Sequence, residues 1–403
     1  MNSASNLRRN PSGSPRRGFT LVELLVVFVV LALLIALLLP AINGAVRSAR
    51  NAAVSSEISQ LAQALAQFKS AHNVYPPSRI ILSETGNYSV ADLKASGNKI
   101  LAAMTTAELT ALTNRSVSYL RRIWPKMVLS TSGAVTGMPG GNYDFNGDGT
   151  VGQVHVLDGA ECLVFFLGGL PGTVGTGQMT VTGFSQNPAN PALAAIMKDG
   201  SGNIVSNPLG QNRSAPMYEF RGGRLVDNYP QNNAGAKGNG FPEYLDGLSG
   251  TEAQPFVYFS SYEGGGYDPD DVNYPEEGNK TDGTLAAASW TADGTVSSGI
   301  AGFFFNKAKS SPSPNPYTNG APLKGGTTVN PEYMNKNTFQ IFSAGYDGQF
   351  GIGGAYVATG NETLPYVSTY GEVFNSSPSA GLSTAIRDRE RDNLTNFKGG
   401  RLD

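Results

Sequence analysis

The chain has one cysteine, Cys162, and two histidines, His72 and His155. A single thiol cannot close an intramolecular disulfide, so cysteine usage carries no information about redox compartment and an exported domain has to hold together without such bridges. Two histidines far apart in sequence argue against a multi-histidine metal centre and leave little for a histidine-based triad. Charge is also scarce. Charged residues make up 15% of the chain, against about a quarter in ordinary soluble domains. The formal net charge of -2 marks neither a nucleic-acid binder nor a polyanion, and no nucleic-acid partner is evident. The chain has no G-x-S-x-G elbow, no P-loop, no H-E-x-x-H and no C-x-x-C pair. Carboxylates are plentiful, but no spacing picks out a hydrolytic pair. No enzyme is expected.

Glycine is abundant, at 50 residues in 403, and Asn, Ser, Thr and Pro crowd the second half. That mixture predicts short strands joined by long, turn-rich loops. The length allows one large domain or two ordinary ones. Residues 1–18 carry Arg8, Arg9, Arg16 and Arg17 with no acidic residue, and read as an unstructured basic leader. From Phe19 to Pro40 the run is almost wholly apolar, with Thr20 and Glu23 its only polar side chains. As a helix it is roughly 33 Å long, about one bilayer core. The basic flank predicts a cytoplasmic N-terminus and an outward-facing remainder. A cleaved secretory signal would have a shorter apolar core closed by a small-x-small site, which is missing here. A plain signal anchor leaves Glu23 unexplained, because an ionised carboxylate inside an apolar span costs about 3 kcal/mol on insertion scales.

The local sequence decides between these readings. Arg16-Arg17-Gly18-Phe19-Thr20-Leu21-Val22-Glu23-Leu24-Leu25-Val26-Val27 resembles the class III signal of type IV prepilins and type II secretion pseudopilins. A basic pair, a glycine, a phenylalanine and an intramembrane acid recur there at fixed spacings, and the likeness covers about the first fifty residues closely. The resemblance implies that a prepilin peptidase cuts between Gly18 and Phe19 and that the new Phe19 amine is N-methylated. It implies that other pilin or pseudopilin subunits, an inner-membrane assembly platform and the lipid bilayer are the partners. Gly18, lacking a side chain, suits an extended stretch in a protease cleft. Glu23 stands one helical turn from the new amine, an i,i+4 pair within one chain, and can neutralise a neighbour's amine on assembly.

Pro40 removes the helical bond to the carbonyl of Ala36. Apolar periodicity nevertheless resumes beyond it: Val54, Ile58, Leu61, Leu65 and Phe68 form one stripe, while Arg47, Arg50, Glu57, Gln60, Gln63, Gln67 and Lys69 fall on other faces. The expected organisation is a leader at 1–18, a helix at 19–72 (transmembrane over 19–40, amphipathic over 41–72), ended by His72-Asn73-Val74-Tyr75-Pro76-Pro77, and an extracytoplasmic domain at 73–403. Helices are predicted over Ala91–Met104, Thr106–Thr113 and Ser116–Trp124. Asp158-Gly159-Ala160-Glu161 reads as a capping box before the apolar run 162–167, stopped by Gly168-Gly169, which makes Cys162 a core residue. Met217–Phe220 and Arg224–Asp227 around Arg221-Gly222-Gly223 give a hairpin signal. Gln254–Ser260 and Thr338–Ser343 read as strands. Stretches near 171–215, 228–253 and 264–337 read as loops or insertions. The fold class expected is α+β, a long N-terminal helix packed on an antiparallel sheet with long loop insertions, as the pilin resemblance implies.

One segment has metal-ligand spacing. Asp144, Asn146, Asp148 and Thr150 place oxygens at alternate positions with glycines between, as in the first half of an EF-hand or dockerin-type calcium loop. The twelfth position, where a bidentate acid belongs, is His155. Calcium and an ion-free turn both remain open at this stage. Ser343-Ala344-Gly345-Tyr346-Asp347-Gly348-Gln349-Phe350-Gly351 resembles the C-terminal Gly-Asp-Gly region of major pseudopilins and reads as a turn. Asp268, Asp270 and Asp271 read as a solvated acidic loop. Residues 392–397 read as a final docked segment. Two functions follow: a filament subunit assembling through its N-terminal helix, or a membrane-anchored polymer-binding or hydrolytic domain that uses the same kind of export signal.

Overall fold

The computed structural model describes residues 18, 20–138, 142–174, 178–193, 196–198, 204–206, 213–227, 239–247, 253–264, 266–268, 271, 315–319, 323–324, 327–328, 332–348, 350, 353–356 and 390–402. The chain divides into two compact units, residues 1–49 and 50–403, and one helix, α1 (Leu21–His72), runs through both. It is a helix long and apolar enough to cross a membrane. In the first unit every described residue from 20 to 49 is exposed. In the second unit the predicted stripe is buried: Val54, Ile58, Leu61, Leu65 and Phe68, joined by Ala64. Asn73, in the left-handed conformation at φ 58°, ends the helix with its N–H on the carbonyl of Lys69 at 2.7 Å.

Strand β1 (Ile80–Ser83) follows, then α2 (Val90–Ala95), α3 (Lys99–Ala103) and α4 (Thr106–Ile123). The single helix expected over 91–104 is split. Gly97 turns at φ 84° and Asn98 restarts the chain, its side chain accepting from the amides of Ile100 and Leu101. The two helices expected over 106–124 are one, because Asn114 and Arg115 do not break a helix already begun by the Thr105–Glu108 capping box. β2 (Val154–Leu157) pairs antiparallel with β1, Ile80 opposite Leu157 and Ser83 opposite Val154.

α5 (Gly159–Gly168) is buried along its whole length, since from Cys162 to Leu167 it is apolar on every side. Asp158 and Glu161 close its capping box as predicted. Phe166 meets Phe68 of α1 at 5.9 Å and Tyr119 of α4 at 5.4 Å, edge to face. Phe165 meets Phe145, Phe184 and Phe241. Cys162 is buried, and burial pushes its thiol pKa well up, so it is a core side chain.

The stretch read as loop over 171–215 contains two hairpins, β3 (Pro171–Val174) with β4 (Gln178–Val181) and β5 (Ile196–Lys198) with β6 (Ile204–Ser206). The hairpin expected around Arg221-Gly222-Gly223 does not form. Gly222–Arg224 is a 3-10 turn, and β7 (Leu225–Val226) pairs instead with β8 (Glu243–Tyr244). Two-residue strands gain too little from local pairing to override a more distant partner that also brings Tyr244 into the core.

β9 (Val257–Ser260) precedes β10 (Asn315–Thr318), β11 (Leu323–Lys324), β12 (Thr327–Thr328), β13 (Phe339–Ser343), β14 (Gly353–Ala355) and β15 (Leu394–Thr395). The β structure is divided among small sheets, antiparallel apart from the β10–β14 pair and some isolated bridges. The largest among the described residues runs β15-β13-β9. Its strands are buried on both faces, polar Gln340 included, whose amide oxygen accepts from the Tyr317 N–H at 2.7 Å and whose Nε2 donates to the Tyr317 and Met334 carbonyls. Tyr258, Phe339 and Ile341 join the core that includes α1 and α5, while Val257, Phe259 and Phe342 join a second core with Tyr317, Phe350 and Leu402. The fold is α+β, with a long apolar N-terminal helix and small, mainly antiparallel sheets.

Candidate functional site

Glu23 sits in the first turn of α1, and Thr20 is the residue before the helix. The Thr20 amide donates to Glu23 Oε2 at 2.8 Å and the Thr20 hydroxyl donates to the same oxygen at 2.9 Å. The Glu23 amide returns a bond to Thr20 Oγ1 at 3.2 Å. This is a reciprocal capping box, which satisfies two of the orphan donors at a helix start. Its T-x-x-E signature stands openly in the sequence, beside the spacing that sets the carboxylate against the Phe19 amine. Phe19 lies outside the described residues. Gly18 is exposed, with open space where a Cβ would stand. Pro40 lies inside α1, which continues beyond it for about nine turns.

Glu57, assigned by periodicity to an outer face of the helix, turns into the domain. Arg224 grips it in two parallel bonds, Nη1 to Oε1 and Nη2 to Oε2, both 2.8 Å. The hydroxyls of Tyr244 and Tyr218 donate to Oε1 at 2.8 and 3.3 Å. Burial first, then the bond to Glu57 and its charge, push the Tyr244 hydroxyl up to about 12. The pair fastens α1 to β7 and β8, and no local pattern could have found it.

The 144–150 segment is brought together as a loop. Asp144 Oδ2 accepts from the Gly149 amide at 3.1 Å. Asp148 Oδ1 accepts from the Thr150 amide at 2.6 Å, and its Oδ2 from Asn146 Nδ2 at 3.0 Å and Gln153 Nε2 at 2.8 Å. Asn146 Oδ1 accepts from the Asp148 amide at 3.2 Å. Gly147 adopts φ 68° with the Pro171 carbonyl 2.6 Å from where a Cβ would be, so the turn admits only glycine there. His155, at the twelfth position, is buried in β2, with Nε2 3.4 Å from Glu84 Oε1 and its ring edge on Phe241. Glu84 was not singled out from the sequence. It follows β1 directly, is fully buried and accepts the Gln153 amide at 2.8 Å. Among the described residues no three His, Cys, Asp or Glu side chains gather closely enough to hold a metal by themselves.

The acidic stretch at 268–271 is not the solvated loop expected. Asp271 is fully buried, its Oδ2 accepting from Ser78 Oγ at 2.5 Å and from the Tyr262 hydroxyl, and its Oδ1 facing Arg115 Nη2 at 3.2 Å. Asp268 meets the other nitrogen, Nη1, at 3.3 Å, and the Arg115 guanidinium lies over the Tyr262 ring. Asp270 lies outside the described residues. At 343–348 a turn forms, whose Tyr346 and Asp347 amides donate to Asp392 Oδ2 at 2.7 and 3.1 Å. The last segment docks through β15 on β13.

Residues 13–39 match the family described as the prokaryotic N-terminal methylation motif. The chain carries a prepilin-type signal. Such a signal occurs in type IV pilins and pseudopilins, and it implies processing by prepilin peptidase and pilin-type assembly. With α1 behind it, the prepilin signal fits a membrane-anchored, single-pass protein. No curated protein and no solved structure matches the chain.

Proposed function

We propose that the chain is a structural subunit of a type IV pilus or type II secretion pseudopilus filament. The observation that carries this reading is the prepilin signal joined to a helix whose first half exposes only apolar side chains beyond Glu23, from Leu24 to Ile42. An apolar rod of that length needs lipid before assembly and other helices after it. Proteins with this kind of signal are structural subunits, so the function lies in assembly, not catalysis.

In this reading prepilin peptidase cuts after Gly18 on the cytoplasmic side, and the Phe19 amine is methylated. The protein waits in the inner membrane with its domain in the periplasm. The assembly platform then lifts it into a filament beside other pilin or pseudopilin subunits. Glu23 has a partner in both states. In the single chain it closes the Thr20 box, and in the filament the Phe19 amine of a neighbour competes for it, pairing two charges that neither lipid nor protein would bury alone. Pro40 leaves the Ala36 carbonyl without its helical donor, which gives the helix a place to bend as it packs.

Intact mass and N-terminal sequencing of the protein from native membranes test the reading. A start at N-methyl-Phe19 is the expected result. An uncleaved Met1 start, or a cut after Pro40, overturns it. Glu23→Val is expected to leave cleavage intact and to block or weaken assembly.

A further inference from the structure

The loop after Tyr143 holds more negative charge than its own hydrogen bonds satisfy. Asp144 is only 8% exposed. One carboxylate oxygen, Oδ2, takes the Gly149 amide, and the other, Oδ1, is buried with no hydrogen-bond partner among the described residues. A buried acceptor left in that condition is destabilising, and more so when charged. The charges of Glu84 and Asp148 act on Asp144 and add to that cost, against the amides of Gly149 and Gly147, which favour its charged form.

Glu84 is tied to both ends of the loop. Its carbonyl accepts from the Tyr143 amide at 2.8 Å, next to Asp144, and its carboxylate takes the Gln153 amide and faces His155. A fully buried acid therefore stands beside the twelfth position, where the sequence has histidine. The remaining donors are the Asn146 amide oxygen and main-chain carbonyls, which are hard oxygens. Such a set selects calcium over zinc or copper, and its mixed, flexible geometry selects calcium over magnesium.

We propose that the 144–150 loop binds calcium through Asp144, Asn146, Asp148 and the Thr150 carbonyl, with Glu84 from the end of β1 supplying the acid that the twelfth position lacks. Binding engages the orphaned Asp144 Oδ1. Asp144, Asp148 and Glu84 do not gather into a metal-holding group in the ion-free chain, so binding has to draw the exposed Asp148 inward, releasing Asn146 Nδ2 and Gln153 Nε2 from it. The ion then bridges β1 to the segment that leads into β2 and α5, so its binding stabilises the domain core.

The test uses the full processed chain in detergent micelles, stripped with a chelator and titrated with calcium, with magnesium and with terbium. Terbium luminescence excited through Tyr143 reports occupancy, and thermal melting reports stabilisation, which rises with the logarithm of free calcium above the Kd. The expected result is terbium luminescence displaced by calcium and a calcium-dependent rise in Tm that magnesium does not reproduce. Asp148→Asn, at an exposed position that leaves the core intact, and Glu84→Gln are each expected to weaken calcium binding by about tenfold or more. No calcium-dependent response in the unaltered protein overturns the proposal, as does unchanged affinity in Asp148→Asn. Unchanged affinity in Glu84→Gln overturns the part assigned to Glu84.

Discussion

Asp271 keeps its place without contact with water by holding two hydroxyls and one guanidinium nitrogen. Burial pushes its pKa up to about 6, the charge of Asp268 adding to the shift while Arg115, Ser78 and Tyr262 oppose it. The unfolded chain releases that proton near the ordinary value of about 3.9. Between those two values the folded state binds more protons than the unfolded one. The stabilising contribution is thus complete at low pH and is lost as pH rises through about 6. A gap of about two pH units corresponds to at most about 3 kcal/mol. Asp271→Asn cannot titrate, so the fall in Tm between pH 5 and pH 7 that this group causes is expected to vanish in the variant. An identical pH slope in both proteins would assign the effect to other groups. At this scale the sequence was legible where the cause is local. Asp158–Glu161 could be read directly, and Thr20–Glu23 carried the same signature. Asp271 could not, because an aspartate in an acidic stretch looks solvated until Ser78, Arg115 and Tyr262 are brought around it.

Elements are stopped and joined here by backbone approach. Gly169 caps α5 at φ 93°, and a Cβ built on it would stand 2.2 Å from the backbone of Gly183. Gly183 in turn meets the Ser214 carbonyl, so three segments cross where a side chain has no room. Gly97 adopts a similar φ of 84° between α2 and α3 but has open space around it. The two glycines differ in backbone region as well as in space, since Gly169 has ψ −156°, a region essentially confined to glycine. Gly97→Ala is expected to cost about 1 kcal/mol, the left-handed penalty alone. Gly169→Ala is expected to cost about 3 kcal/mol, since alanine is strained in that region and the crossing segments have to move as well. Denaturant melts of the full chain in micelles measure both, and equal costs would show that the crossing yields freely. The helix stop at Gly168-Gly169 was legible from the residues, while the tight crossing was not. The predicted 217–227 hairpin failed for a related reason: a Gly-Gly turn permits pairing but does not select the partner strand, and Leu225–Val226 gains more from Glu243–Tyr244.

For the whole molecule, the lone cysteine simplifies a test of assembly. Cys162 is fully buried, so a cysteine introduced on the apolar half of α1 is the reactive one. Val30→Cys lies at an exposed position in that half. Oxidation in native membranes or filaments is expected to give a self-linked dimer, and adding Glu23→Val is expected to remove most of it. Cross-linking that ignores Glu23 would mean that helices meet without the charge pairing proposed for assembly. Cross-linking absent from both chains would favour an anchored domain that does not pack with its own kind.

The sequence by itself determined the basic N-terminal segment, the apolar run, the prepilin-type signal, the buried stripe of α1, the Asp158–Glu161 capping box and the α+β class. Each depends on neighbours within a turn or two of helix, or on partition between water and an apolar phase, and both are properties of a short stretch of chain. The tertiary structure alone decided that Arg224 grips Glu57 across 167 residues, that Ser78 meets Asp271 across 193, and that Glu84 stands beside a loop whose Gln153 lies 69 residues on. It also decided which short strands pair. An acid's identity fixes its charge but not its burial, and a two-residue strand matches many partners. Those choices are made by the packing of α1, α4 and α5, which no local pattern encodes.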